Sequence, residues 1–297
     1  MKKLSHIIVC IALLVAFCAC HKDQLGLYNP KMRIEKVYCE EGSRYLSEQW
    51  AWNGSALSKI DHFRPGGGIS HTDTYQYDDK NRLTRIGRGD EYTEFLYDGK
   101  MLTTINTYSQ NRIVETCRLT YDRNRLAHIS IERPAKGSGG VSLLPFLIPG
   151  NSNLTERIFP IKDSKSEIYN YSSAEMDFHW DGDNVQYLRM RLARPDSIQR
   201  LTFTYIYDES LNPQNGFLSL LTDRSVVNDR PQYLLCNKNN VRNVLITDEY
   251  DVFSSTTSFT YSYECYKKFP TKIYLTTRDI ETFGEDSTLI CSYVYLQ

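Results

Sequence analysis

The sequence predicts an all-β protein: a long antiparallel meander of repeated β-hairpins, curled into an open roll or a soluble barrel. Three observations predict it. An aromatic-acid phrase recurs along the chain, hairpin dipeptides follow it, and tyrosine supplies 22 of 297 residues while no stretch has a convincing helical period. The copies are "WAWNGSALSKI" (50–60), "YQYDDKNRLTRI" (75–86), "FLYDGKMLTTI" (95–105), "LTYDRNRLAHI" (119–129) and "FHWDGDNVQYL" (178–188), with a degraded sixth, "YSYECYKKFPTKI" (261–273). Successive hairpins of this kind form one sheet that curls or closes to protect its edges.

Each copy reads as strand, turn, strand. Residues two apart share a face, so Tyr75 and Tyr77, or Phe95 and Tyr97, point the same way. Asp or Asn follows and starts a turn by bonding the backbone just ahead. Asn53-Gly54, Asp98-Gly99 and Asp181-Gly182 are hairpin dipeptides, because tight turns need positive φ. A second strand rich in Thr, Ile and Leu then begins. Leu83 and Ile86, or Leu102 and Ile105, are three apart and would fall on opposite faces of a regular strand; a bulge, or a Leu tucked under the turn, reconciles them.

Strands outside the phrase keep the style. "LTFTYIY" (201–207) and "SFTYSY" (258–263) alternate aromatics with Thr or Ser. Two insertions interrupt the meander. Segment 134–153 holds an apolar core, Leu143 to Ile148, expected to plug a barrel end or cover a sheet face. Segment 208–240 is a long connection with room for a short helix around Phe217 to Leu221.

The N-terminus lies outside the domain. Lys2 and Lys3 precede the apolar run Ile7 to Phe17, a secretory signal too short to cross a bilayer. Cys20 follows the small Ala19, as the lipidation site of a bacterial lipoprotein requires. Residues 1–19 are thus expected to be a signal peptide, 20–34 a tether, and 35–297 a single antiparallel β domain. Acyl chains on Cys20 would hold the protein to the outer membrane, facing the periplasm or the exterior, without spanning it. Without the signal, 33 bases face 36 acids, a net charge of −3. No basic patch dominates, which argues against nucleic-acid binding.

Beyond Cys20, the cysteines are Cys39, Cys117, Cys236, Cys265 and Cys291. An odd count cannot pair completely, and no C-x-x-C spacing suggests zinc. The oxidising envelope permits one or two disulfides; buried thiols on strands are the alternative.

The phrases resemble the YD repeats of Rhs-type proteins, in too few copies for their shell. A broader resemblance is to Bacteroidetes lipoproteins of unknown function with a porin-like fold. It is carried by the "FCAC" lipobox, the "YDxxxxL" phrases, "YDESLNPQNGF" with "YLLCNKNNVRNV" after it, and the closing "FTYSYECYKKFPTKI". The resemblance implies a curved or barrel-like antiparallel sheet and brings no catalytic residues. A membrane pore is disfavoured. "CSYVYLQ" closes on Gln rather than an aromatic, a lipid anchor is redundant on an integral barrel, and "NRIVETCRLTY" would put charge against lipid in either register.

Signals of chemistry are thin. No histidine lies in an H-E-x-x-H spacing and there is no G-x-S-x-G elbow. His71 and Asp73 share a strand face, where such pairs are mostly surface polarity. "PGGGIS" (65–70) opens no helix, and "DGDN" (181–184) has calcium-like oxygens at a position the phrase reserves for its turn. The reading is a non-enzymatic scaffold for a ligand, glycan or protein partner, with no catalytic, cofactor or metal residues. Trp50, Trp52 and Trp180 are the candidates for stacking a ligand, although they hold the repeat's aromatic position and core packing competes for them. The alternatives are a polysaccharide hydrolase with an acid pair at a barrel mouth, and an accessory lipoprotein of an outer-membrane transporter docking through 143–148.

Overall fold

The computed structural model describes residues 28–40, 43–133, 173–193, 197–216, 237–249, 254–278 and 285–296. Sixteen strands lie among them: β1 (Ile34–Cys39), β2 (Tyr45–Asn53), β3 (Ala56–Phe63), β4 (Ile69–Tyr77), β5 (Leu83–Arg88), β6 (Glu91–Asp98), β7 (Met101–Ser109), β8 (Arg112–Asp122), β9 (Arg125–Glu132), β10 (Ser173–Asp181), β11 (Asn184–Ala193), β12 (Ile198–Leu211), β13 (Asn239–Glu249), β14 (Ser254–Tyr266), β15 (Phe269–Arg278) and β16 (Glu285–Tyr295). Each pairs antiparallel with the next, and β16 returns to pair with β1. The sheet is therefore a closed barrel, and closure removes both edges.

The predicted hairpins are there, and the awkward spacing is a bulge. Tyr77 lies opposite Leu83 and Gln76 opposite Arg85, so Thr84 is an extra residue. Leu83 and Ile86 therefore both face inward, at 4 % and 0 % exposure. The same slip recurs in every phrase, with Ser58, Thr103, Ala127, Gln186, Arg242 and Thr271 as the extra residues. Where that residue is Ser or Thr, its hydroxyl binds the partner strand's carbonyl: Ser58 to Ala51, Thr84 to Gln76, Thr103 to Leu96, Thr271 to Glu264. The extra residue thus supplies part of its own compensation.

The two aromatics of a phrase do different work. The first (Trp50, Tyr75, Phe95, Phe178, Tyr205, Tyr261, Tyr293) is buried in the core. The second is half-buried and reaches one strand back, where its polar tip donates to the carbonyl of an apolar anchor. Trp52 Nε1 donates to Ile34, Tyr77 to Leu57, Tyr97 to Leu83 and Tyr121 to Leu102. Trp180 Nε1 donates to Leu126, Tyr207 to Val185, Tyr263 to Val241 and Tyr295 to Pro270. Every even-numbered strand donates and every odd-numbered strand accepts, at 2.5 to 2.9 Å, in a complete ring of eight. A carbonyl at a bulge is left over by the ladder, and the aromatic satisfies it without water.

The ring counts eight units although the sequence shows fewer copies. One hidden unit joins Tyr205-Ile206-Tyr207 to Val241 and Val244 across the connection after β12; β12 runs to Leu211 and β13 starts at Asn239, so the strands extend into the expected insertion 208–240. The other is split between the two ends of the barrel. Tyr293-Val294-Tyr295 on β16 pairs with Ile34 and Val37 on β1, and Glu35 is the extra residue between Ile34 and Lys36. Ile34 and Val37, three apart and both fully buried, are the missing anchors of that last phrase.

The turns of these hairpins lie at one end of the barrel. Gly54, Gly99 and Gly182 occupy left-handed φ of 56° to 58° there, as the dipeptides require. At the same end Tyr28, expected in the tether, is 7 % exposed; its ring packs on Trp50 and Trp52 and its hydroxyl bonds Pro213 O at 2.7 Å. Tyr28 thus packs with the barrel although it precedes β1. Residues 134–153, 217–221 and Cys236 lie outside the described residues.

Candidate functional site

The barrel's polarity is the first clue to its function. Inward positions form one continuous apolar cluster reaching every strand. Outward positions carry Gln49, Lys59, Glu94, Arg118, Glu175, Asp177, Arg189, Arg191, Arg242 and Lys272 along the wall, with Thr and Ser between them. Outward ion pairs such as Glu175–Arg191 at 3.2 Å and Glu264–Lys272 at 2.9 Å are solvent-exposed. A lipid-facing wall would carry a continuous apolar band, whereas here the exposed Leu96, Ile206 and Leu245 are interspersed with charged residues.

Ionisable groups nevertheless enter the interior, on the strand halves away from the hairpin turns. Glu48, His62 and Asp73, on β2, β3 and β4, are 5 %, 4 % and 0 % exposed. His62 Nε2 lies 3.2 Å from Asp73 Oδ2, and its Nδ1 lies 3.7 Å from Glu48 Oε1. Arg88 on β5 grips Asp73 through Nε at 2.8 Å and Nη2 at 2.9 Å. Trp50 Nε1 donates to Glu48 Oε2 at 2.8 Å. His71 stacks on His62, with centroids 4.3 Å apart and rings 18° from parallel. Similar cross-strand polar pairs continue around the barrel: Thr93 with Thr107, Glu115 with Arg133 at 3.0 Å, and Gln199 with Asp248 at 2.8 Å. Charges taken from water need such partners.

The donor atoms of His62, His71 and Asp73 lie within 4.8 Å of one another, so a metal deserves testing. The chemistry fits one poorly. Both oxygens of Asp73 accept from Arg88, and near-parallel imidazoles direct their nitrogen lone pairs side by side rather than toward one point. The cluster is better described as a buried ion network in which His62 sits between two carboxylates. Glu48 and Asp73 also do not make the acid pair of a glycosidase, since both are buried and bonded within the core.

The residues singled out in the sequence fall as follows. Trp50 is core, at 3 % exposure, while Trp52 and Trp180 are half-buried and serve in the aromatic ring. "DGDN" is a turn: Asp183 pairs with Lys238 Nζ at 2.8 Å, and Asn184 bonds Asn239. "PGGGIS" is the β3–β4 connection, with Gly66, Gly67 and Gly68 at positive φ. Cys20 and Leu143 to Ile148 lie outside the described residues. The Glu48–His62–Asp73–Arg88 network was not anticipated as a set. Its one sequence trace was His71 and Asp73 on a common face, and the other members come from neighbouring strands whose register the sequence does not display.

Two outward features lie on the wall. Arg85 lies 3.7 Å over Tyr92, which stacks on Tyr108 at 4.5 Å across β6 and β7. A shallow depression across β10–β13 presents Asp177, Arg189, Arg191, Arg200, Thr202, Thr247 and Glu249.

Fold and site together define a closed antiparallel barrel with an apolar inner cluster and charged residues distributed along its outer wall. No family model matches the chain, and no curated protein matches it. Among solved structures it is similar to a porin-like protein from Bacteroides vulgatus ATCC 8482, with 9 % identity and a TM-score of 0.52 over 90 % of this chain and 99 % of that one. It is also similar to a porin-like protein from Bacteroides uniformis ATCC 8492, with 12 % identity and a TM-score of 0.50 over 89 % and 98 %. At these identities the likeness is one of fold.

Proposed function

We propose that this chain is a lipid-anchored protein of the cell envelope, held at the outer membrane through Cys20, that works as a non-enzymatic binding scaffold rather than as a pore. One observation carries the reading: apolar side chains fill the barrel, and charged ones are spread along its whole outer wall, interrupting the exposed apolar residues. Moving a single outward Arg or Lys to the bilayer midplane costs about 2–4 kcal/mol on barrel scaffolds, and this wall carries many. A filled interior leaves recognition to the outer wall and the connections. The arginine-rich depression across β10–β13 and the Arg85–Tyr92–Tyr108 strip offer hydrogen bonds and ring edges suited to a polar partner such as a glycan or a protein surface.

The test has two arms. The chain from residue 21, added to planar bilayers, is expected to give no conductance and to stay with the aqueous phase on vesicle flotation; stable channels would overturn the scaffold reading. The full chain is expected in the membrane fraction, and Cys20→Ala in the soluble one. Membrane retention of Cys20→Ala would overturn the anchor.

A further inference from the structure

We propose that Cys39 and Cys291 form a disulfide that locks the seam of the barrel. The two residues lie directly opposite one another in the β1–β16 pairing, and both are buried on the inward face. Antiparallel partners come in two kinds, and the neighbouring bond identifies this one. Glu40 N donates to Ile290 O at 3.1 Å, joining the residue after Cys39 to the residue before Cys291. That pattern makes Cys39 and Cys291 a non-hydrogen-bonded pair, the kind whose Cα atoms approach to about 4.5 Å with side chains closest. Disulfides span Cα separations of about 4.4–6.8 Å, so the ladder delivers the pair within range. The other described cysteines do not meet a cysteine this way: Cys117 faces Ile105 and Ile131, and Cys265 faces Pro270.

The location gives the bond its purpose. β1 and β16 are the neighbours in the barrel that are not consecutive in the chain, and they share the split phrase. A link there would close a loop of nearly the whole domain and restrict the unfolded chain strongly. The reaction is thiol–disulfide exchange with a disulfide-bearing oxidant, either an envelope oxidoreductase or oxidised glutathione. One cysteine thiolate attacks the oxidant's disulfide and forms a mixed disulfide, releasing one oxidant thiol. The second cysteine thiolate displaces the other, so the protein loses two electrons and two protons, and the oxidant leaves as an oxidoreductase dithiol or as two glutathione thiols. Burial of both sulfurs means the exchange accompanies closure of the seam rather than following it.

Only the supply of oxidant rests on the proposed envelope location, and the experiment separates the two. The chain from residue 21, refolded in a glutathione redox buffer, is alkylated in denaturant without reductant and digested. Mass spectrometry is expected to find a linked peptide pair containing Cys39 and Cys291. Both cysteines carrying the alkyl group in protein that melts cooperatively would overturn the proposal. Dithiothreitol is expected to lower the unfolding midpoint of this protein and to leave that of the Cys39→Ala/Cys291→Ala variant unmoved; equal sensitivity in both would also overturn it. The same mapping on full chain from cell envelopes reports location: a bridge after refolding but none in cells would refute the oxidising-envelope reading and leave the pair intact.

Discussion

Tyr295 on the last strand lies opposite Ile34 on the first and completes a ring of aromatic bonds by donating to Pro270 O at 2.7 Å. The pair is half of one repeat whose turn has been cut, and the cut is where the chain begins and ends its barrel. A circular permutant follows. Joining Leu296 to Arg33 through Asn-Gly and opening the chain between Asp98 and Gly99 is expected to preserve the barrel, since each unit would keep its neighbours. Far-UV circular dichroism matching the parent, with a single cooperative melt, is the expected result.

The ring itself is measurable bond by bond. Tyr97→Phe and Tyr121→Phe each remove one hydroxyl and leave a bulge carbonyl of Leu83 or Leu102 with its partner lost. Each change is expected to cost about 1–2 kcal/mol in urea unfolding. The double variant is expected to depart from additivity, because Leu102, which accepts from Tyr121, lies directly opposite Tyr97.

High pH probes the ring as a set. Burial pushes the Tyr77 hydroxyl up to about 12, and burial also raises Tyr97 and Tyr263. A tyrosine whose folded pKa exceeds its unfolded value of about 10 favours the folded state fully below pH ~10. That contribution is lost as pH climbs from about 10 toward 12. Melting temperature should be level from pH 7 to 9 and fall steeply above 10.

The ion network gives a sharper mutational signature. Asp73→Asn removes the charge that both Arg88 and His62 face, and is expected to cost about 3–5 kcal/mol. Adding Arg88→Met to Asp73→Asn should recover part of the loss, because it removes the stranded cation. A double-mutant cycle read by urea denaturation checks both the size and the sign.

Much of this fold was legible because its determinants are local. Tyr75-Gln76-Tyr77-Asp78 announces strand and turn within four residues, and Asp98-Gly99 fixes a hairpin without help from elsewhere. What stayed hidden depends on partners distant in sequence. The three-residue gap from Leu83 to Ile86 becomes a bulge only when Gln76 and Tyr77 lie across from it. The last phrase is invisible because its aromatics are at 293 and 295 and its anchors at 34 and 37. The charged core is hidden for the same reason: Glu48, His62, Asp73 and Arg88 come from four strands, and their meeting is a product of register. The tryptophans were ambiguous because one residue type serves both core and stacking surfaces, and the N–H of Trp52 finds its acceptor, Ile34, only on a neighbouring strand.

Each aromatic clasp reaches one strand back and no further, so nothing in a clasp counts how many units the circle contains. What the circle encloses is shared by all of it: eight staves surround one continuous apolar filling. A ninth stave added by gene duplication would therefore find its clasps ready on both sides, while the filling would need more side-chain volume to stay close-packed.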